Sequence, residues 1–169
     1  MAEGLFITVK RLVQLTPLSG DIDQDKITPF IKSGQDLHIE PLLGTRLFEK
    51  IKADIEGGTL AGDYLTLTQT YIQPVLAHLA AADFYQFHVY QIQNGGIFKH
   101  ESENGISIDK NEVDRLVQHE RDIAGRYMQK LDNPLGYFAP TLYPEYSQAT
   151  ADEESPEPAR RNRGGIYLG

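Results

Sequence analysis

Residues 63–92, "DYLTLTQTYIQPVLAHLAAADFYQFHVYQI", decide how the rest of the chain is read. Their apolar residues recur at helical spacing in two rows. One row runs Ile72, Leu76, Leu79, Phe87, Tyr90; the other runs Leu67, Tyr71, Val75, Ala82, Tyr85, Val89. A helix that is apolar on more than one side must be covered on more than one side. The stretch is therefore expected to be a central helix, ~45 Å long at ~1.5 Å per residue. Pro74 lacks an amide hydrogen and crowds the carbonyl four residues earlier, so a kink or interruption is expected there.

Toward the N-terminus the same spacing recurs in shorter pieces. Thr8 can cap a helix reaching about Leu15, with Val9, Leu12 and Val13 as its stripe, before "TPLSGD" breaks it. From Asp25, residues Ile27, Phe30, Ile31 and Leu37 form a second stripe; Pro29 is tolerable near the first turn, Gly34 permits close packing and Pro41 closes the segment. In "GTRLFEKIKADIEGG" (44–58), Thr45 is placed as N-cap, Leu47, Phe48, Ile51 and Ile55 share a face, and Gly57-Gly58 supplies the stop.

Toward the C-terminus, "GGIFKHESENGISID" (95–109) alternates Ile97/Lys99 and Ile106/Ile108 around "ENG", which predicts a small β-hairpin at about 96–108. A lone hairpin is marginal, so this one requires support from elsewhere. "DKNE" (109–112) is a capping-box variant opening a helix with Val113, Leu116, Val117, Ile123, Tyr127 and Leu131, and "DNPLG" ends it. After that Pro140, Pro144, Pro156 and Pro158 exclude long helices, and "ADEESPEPARRNRGG" has the composition of a linker. Tyr137, Phe138, Leu142, Tyr143 and Tyr146 are spaced to lie along a surface. The expected organisation is mainly α: a small helical bundle with a long central helix and a hairpin in residues 1–133, then an extended C-terminal arm in 134–169.

The chain has 169 residues and is 40% hydrophobic, enough for one domain with a sizeable core. A net charge of -8 argues against a general nucleic-acid binder, which needs a basic face to displace counterions. There is no cysteine, which excludes disulfides and thiolate metal sites and is compatible with a reducing compartment. No apolar run reaches the ~18 residues of a membrane span, and the first residues lack an export h-region. No membrane association is expected.

The five histidines form no HExxH or His-x-His pattern, so neither metal nor cofactor is expected. In "QHERD" (118–122), His119, Glu120 and Asp122 point in different directions on a helix and are read as solvated charges. The paired glycines match no phosphate loop. Asp83 stands out, because it lies four residues from both Leu79 and Phe87 on an apolar row, where an unpaired carboxylate is costly. Its partner is expected to be Arg115, Arg121 or Arg126 on the neighbouring helix, or a group across a subunit interface.

The last stretch, "RRNRGGIYLG" (160–169), places Arg160, Arg161 and Arg163 ahead of Ile166, Tyr167 and Leu168, after acidic Asp152, Glu153, Glu154 and Glu157. It reads either as a solvated end or as a tethered docking peptide, with arginines meeting carboxylates and apolar side chains filling pockets. At ~3.3 Å per residue the chain beyond Leu131 could reach ~100 Å and leave its own subunit.

The opening "LFITVKRLVQLTPLSGDIDQDKITPFIKSGQDLHIEPLLGTRLFEKI", the "GDYLTLTQTYIQPVLAHLAAADFY" helix and the "NGGIFK…NEVDRLVQHERDIAGRYMQKL" continuation together resemble tailed-phage head–tail connector (adaptor) proteins, in particular an uncharacterised group from phages of Bacteroidota. The resemblance spans about residues 5–131 and includes no catalytic signature. It implies a non-enzymatic structural subunit of the virion neck, assembled in the host cytoplasm. Copies would form a homo-oligomeric ring, usually a dodecamer, beneath the portal protein and joined to downstream tail or neck proteins. DNA would pass through an acidic lumen without specific binding, and the C-terminal arm would dock on a neighbouring component. Two other classes remain: a small acid-base enzyme using carboxylates such as Asp83 and Glu120, and a regulatory module whose C-terminal peptide binds a partner.

Overall fold

The computed structural model describes residues 4–19, 22–88, 90–93, 96–99, 110–136, 139–147 and 153–156. The fold is mainly helical: α1 (Val9–Leu15), α2 (Gln24–Gly34), α3 (Glu40–Leu43), α4 (Thr45–Glu56), α5 (Gly62–Thr66), α6 (Gln73–His88), α7 (Lys110–Gly136) and α8 (Ala139–Leu142). Strands β1 (Tyr90–Gln93) and β2 (Gly96–Lys99) pair antiparallel between α6 and α7.

The central helical run starts at Gly62 and ends at His88, short of the expected Ile92. Tyr90 and Ile92 leave the helix for β1, where they face Lys99 and Ile97 of β2. The strand pairing expected around "ENG" is therefore corrected: Ile97 and Lys99 pair backward with residues 92 and 90. Residues 100–109, with Ile106 and Ile108, lie outside the described residues.

Pro74 does not interrupt the run. Residues Leu67–Ile72 form a π-helical segment joining α5 to α6, and the amide of Gln73, just before the proline, donates to the Thr68 carbonyl five residues back. The same device recurs at Pro41, which was expected to close its segment. Gln35–Ile39 is π-helical, the Glu40 amide donates to the Gln35 carbonyl, and Pro41 sits in the first turn of α3. A proline ring in a regular α-turn would collide with the carbonyl four residues earlier and leave it without a donor. A widened turn ahead of the ring makes room for it, and the helical path continues. The inserted residue also rotates the apolar register: Ile39 is buried, whereas Leu37, expected in the stripe, is 68% exposed.

The helical path ends instead at Gly44, whose φ of 74° suits a residue without a Cβ. Gly44, not Thr45, is the N-cap of α4. Helix α7 runs through Pro134 and ends at Gly136, the last residue of the "DNPLG" stretch expected to stop it.

The core is laid on α6. Val75, Leu76, Ala77, Ala80 and Ala81 are fully buried there, joined by Ile27 and Ile31 of α2, Leu47, Phe48 and Ile51 of α4, and Phe6 from the N-terminal segment. Each such large side chain stabilises the fold by ~1.5–3 kcal/mol through loss of apolar surface to water. Helix α2 crosses α6 closely because Gly34 has no side chain: a Cβ there would stand 3.0 Å from Leu76 Cδ1. Segment 4–7 is held by the side-chain amides of buried Gln35 and half-buried Gln73, with the Phe6 N–H donating to Gln35 Oε1 (2.9 Å) and Gln73 Nε2 donating to the Phe6 carbonyl (2.9 Å).

Helix α7 packs on α6 through Val113, Val117, Glu120 and Ala124. Leu116, expected on that stripe, is 45% exposed, one position off the buried row. The core also continues past residue 133. Leu135, Ala139 and Tyr143 are buried, the Tyr143 hydroxyl donates to the Asp63 carbonyl (3.1 Å), and Tyr143 meets Tyr64 edge-on at 5.4 Å. The first part of the expected arm is thus part of the globular body.

Candidate functional site

Helices α6 and α7 run antiparallel, with His78 opposite Glu120 and Ala82 against Val113 and Val117. His78 and Glu120 are both buried, 7% and 3% exposed, and His78 Nδ1 lies 2.6 Å from Glu120 Oε2. The ring of Tyr127, two helical turns beyond Glu120 on α7, stacks on His78 at 5.8 Å with an interplanar angle of 12°. Tyr85 closes the other side, its phenol held above the ordinary value by burial and then by the charge of Glu120. His78 Nδ1 and Glu120 Oε2 serve each other, and among the described residues no buried side-chain nitrogen or oxygen lacks a partner.

This pair corrects the reading of "QHERD" as solvated charge. His119 and Asp122 are exposed, but Glu120 falls in the buried row Val113, Val117, Glu120, Ala124. Its spacing of three from Val117 and four to Ala124 carries that signal in the sequence. A shared hydrogen between imidazole and carboxyl is the raw material of acid–base chemistry, yet no substrate atom can approach groups this enclosed. The arrangement instead fixes the register of α7 on α6.

Asp83 lies one turn further along α6. Arg121 Nη2 donates to its Oδ1 at 3.4 Å, and the side chains are 47% (Arg121) and 28% (Asp83) exposed. Of the partners considered, the structure brings Arg121 to Asp83, at the rim of the interface.

A second polar constellation lies at the start of α4. Residues 153–156, expected to be free linker, return to it. The Thr45 N–H donates to the Glu154 carbonyl (3.2 Å), the Glu154 N–H donates to Thr45 Oγ1 (3.2 Å), and Arg46 Nε donates to Glu153 Oε2 (2.7 Å). Pro156 lies over Gly44, where a Cβ would stand 2.8 Å from its Cδ. Nothing in the spacing of the sequence signals this contact, because the partners are more than a hundred residues apart.

Arg160, Arg161, Arg163, Ile166, Tyr167 and Leu168 lie outside the described residues. Among the described residues no group of three or more His, Asp or Glu side chains converges as metal ligands, and no helix is long and apolar enough to cross a membrane.

Among the described residues, the molecule is a small helical protein in which His78, Glu120, Asp83 and Arg121 join α6 to α7, and Thr45 and Arg46 hold residues 153–154. The chain belongs to a family of unknown function (DUF6712), whose model matches residues 39–153, from the first π-helical segment to the returning Glu153. No curated protein matches the sequence. No solved structure matches it.

Proposed function

We propose that the chain is a structural head–tail connector (adaptor) subunit of a phage virion neck, forming a dodecameric ring under the portal and linking it to downstream tail proteins. The observation that carries this reading is the apolar surface left at one end of the bundle. Phe87 is 55% exposed beside half-buried Phe30, with ring centroids 5.5 Å apart, at the end of α6 from which β1 departs. Leu116, 45% exposed, lies on α7 toward the same end. Apolar side chains beside a lone two-stranded ribbon gain from being covered, and lateral contacts in a closed ring cover the same patch on every copy. The net charge of -8 suits a lumen through which a polyanion slides. In this reading Arg160, Arg161 and Arg163 meet carboxylates on the portal or an adjacent subunit, and Ile166, Tyr167 and Leu168 fill its apolar pockets. Enzymatic use of Glu120 is disfavoured by its enclosure.

Electron microscopy of the purified protein with portal-containing particles tests the proposal. Rings seated on the portal are expected, and deleting residues 160–169 should abolish their attachment while leaving the melt of the isolated subunit unchanged. A protein that stays monomeric and never associates with such particles refutes the reading.

A further inference from the structure

The contacts between Gly44–Arg46 and residues 153–156 are each local to the notch at the start of α4. Paired hydrogen bonds with Thr45 read the backbone of Glu154 in both directions. Arg46 reads the acidic side chain ahead of it, and bare Gly44 admits the ring of Pro156 two residues after it. The helix needs this occupant. Its N-cap carries no side-chain hydrogen bond, so the Glu154 carbonyl serves one of the amides that a helix start leaves without an internal partner. Two carboxylates beside that helix start and Arg46 are electrostatically favoured as well.

We propose that this notch is a recognition site for an acidic, proline-bearing segment of the type Glu-Glu-Ser-Pro, and that it accepts residues 153–156 of a second copy of this chain in place of its own. The recognised features lie within four residues, so the same hydrogen bonds and ion pair form whether the segment arrives from the same chain or another. Exchange of an identical element between copies therefore gives up no contact and costs only association entropy, which falls as local concentration rises. Charge complementarity rests on Arg46 facing Glu153 and on the helix N-terminus; the Thr45 hydroxyl that accepts from the Glu154 N–H itself donates to the Glu40 carboxylate (3.3 Å), which is thereby held in place. The inference requires two copies of this chain and does not rest on the neck assignment.

Full-length Arg46→Glu and Glu153→Arg chains provide the test. Each alone places like charges across its own notch. In an equal mixture, the Glu at position 46 of one copy faces the Arg at position 153 of the other, and the unaltered Arg46 and Glu153 face each other in the reciprocal notch. Both wild-type side chains are partly exposed, 35% and 26%, so folding should survive and is checked by thermal melts. Native mass spectrometry with one chain isotopically labelled should show the mixed pair exceeding either like pair by roughly tenfold, an excess counted beyond the twofold that random pairing gives, and that excess should shrink as salt rises. Adding Glu154→Pro to both chains, which removes the amide that donates to Thr45, should abolish the excess. A mixture with no excess of the mixed pair overturns the proposal, as does an excess that persists with Glu154→Pro.

Discussion

Two polar contacts join α6 to α7, and they follow opposite rules. His78 and Glu120 meet at 2.6 Å with both side chains enclosed, whereas Asp83 and Arg121 meet at 3.4 Å with the arginine almost half exposed. The two pairs are little more than a helical turn apart on α6. In the first, water is excluded, so a missing partner leaves a buried polar group with nothing to bond. In the second, water can replace either partner. Separation from solvent, more than charge, determines how much each contact matters.

The largest effect should come from breaking the enclosed pair. Glu120→Ala leaves the His78 ring nitrogen buried opposite a void and should cost ~3–5 kcal/mol in denaturant unfolding. Replacing both residues with leucine removes the polar groups together and should recover most of that loss, since a well-packed apolar pair of similar volume is often neutral relative to a buried polar one. A single-variant loss below ~1 kcal/mol would mean that solvent reaches the pair, and the contrast between the two contacts would collapse.

Next in size is a test of which apolar residues belong to the core. Leu79 is 8% exposed and Leu116 is 45% exposed. Leu79→Ala should cost ~2–4 kcal/mol through lost burial and a residual cavity. Leu116→Ala, which the sequence placed in the core, should change stability by less than ~0.5 kcal/mol in the isolated chain.

Leu116 also shows where sequence reading reaches its limit. The mainly helical architecture, α4 with its Leu47, Phe48 and Ile51 face, and the central role of residues 62–88 were legible because periodicity over many residues averages out local noise. Single positions were not, since one residue of register moves a side chain by ~100° around a helix. Glu120 was misread for the same reason: chemistry argued for solvent while register placed it inside. Pro41 and Pro74 were misread because a proline signals a break only in a regular α-turn, and each is preceded here by a widened one. The return of residues 153–156 to Gly44–Arg46 depends on tertiary proximity, which no local pattern encodes. Asp83 was legible as a paired carboxylate because its charge made an apolar row conspicuous, but its position at the rim was not.

A smaller, pH-dependent effect separates enclosed from open polar groups elsewhere in the fold. Burial, followed by the hydrogen bond to Glu145, pushes the Tyr64 phenol well above its ordinary 10.0, and burial first of all raises Tyr85, Tyr143 and Tyr146 as well. The folded chain therefore keeps these protons at a pH where the unfolded chain releases them. Their contribution is complete below about pH 10 and is lost as pH rises through the folded values, so these four groups weaken the fold on the alkaline side. Ultraviolet tyrosinate titration should show some of the nine tyrosines ionising with unfolding and the rest earlier. Tyr64→Phe, which removes one of these protons and its bond to Glu145, should make the alkaline decline shallower.

The smallest effect is the most discriminating. A double-mutant cycle on Asp83→Asn and Arg121→Gln in the isolated chain should give a coupling below ~1 kcal/mol, because an exposed pair exchanges its partner for water at little cost. Raising the salt to ~1 M shortens the screening length to ~3 Å and should remove most of that coupling. The corresponding cycle on His78 and Glu120 should keep its value, since ions cannot enter between groups that are 9% and 4% exposed. Repeating the Asp83 cycle under conditions where the proposed ring forms would carry the comparison into that assembly. If a neighbouring copy covers the rim, the coupling should rise and lose its salt dependence, and Asp83 would come to resemble Glu120. If the coupling is unchanged by assembly, Asp83 faces solvent in both states, and the subunit contact must lie elsewhere on the bundle.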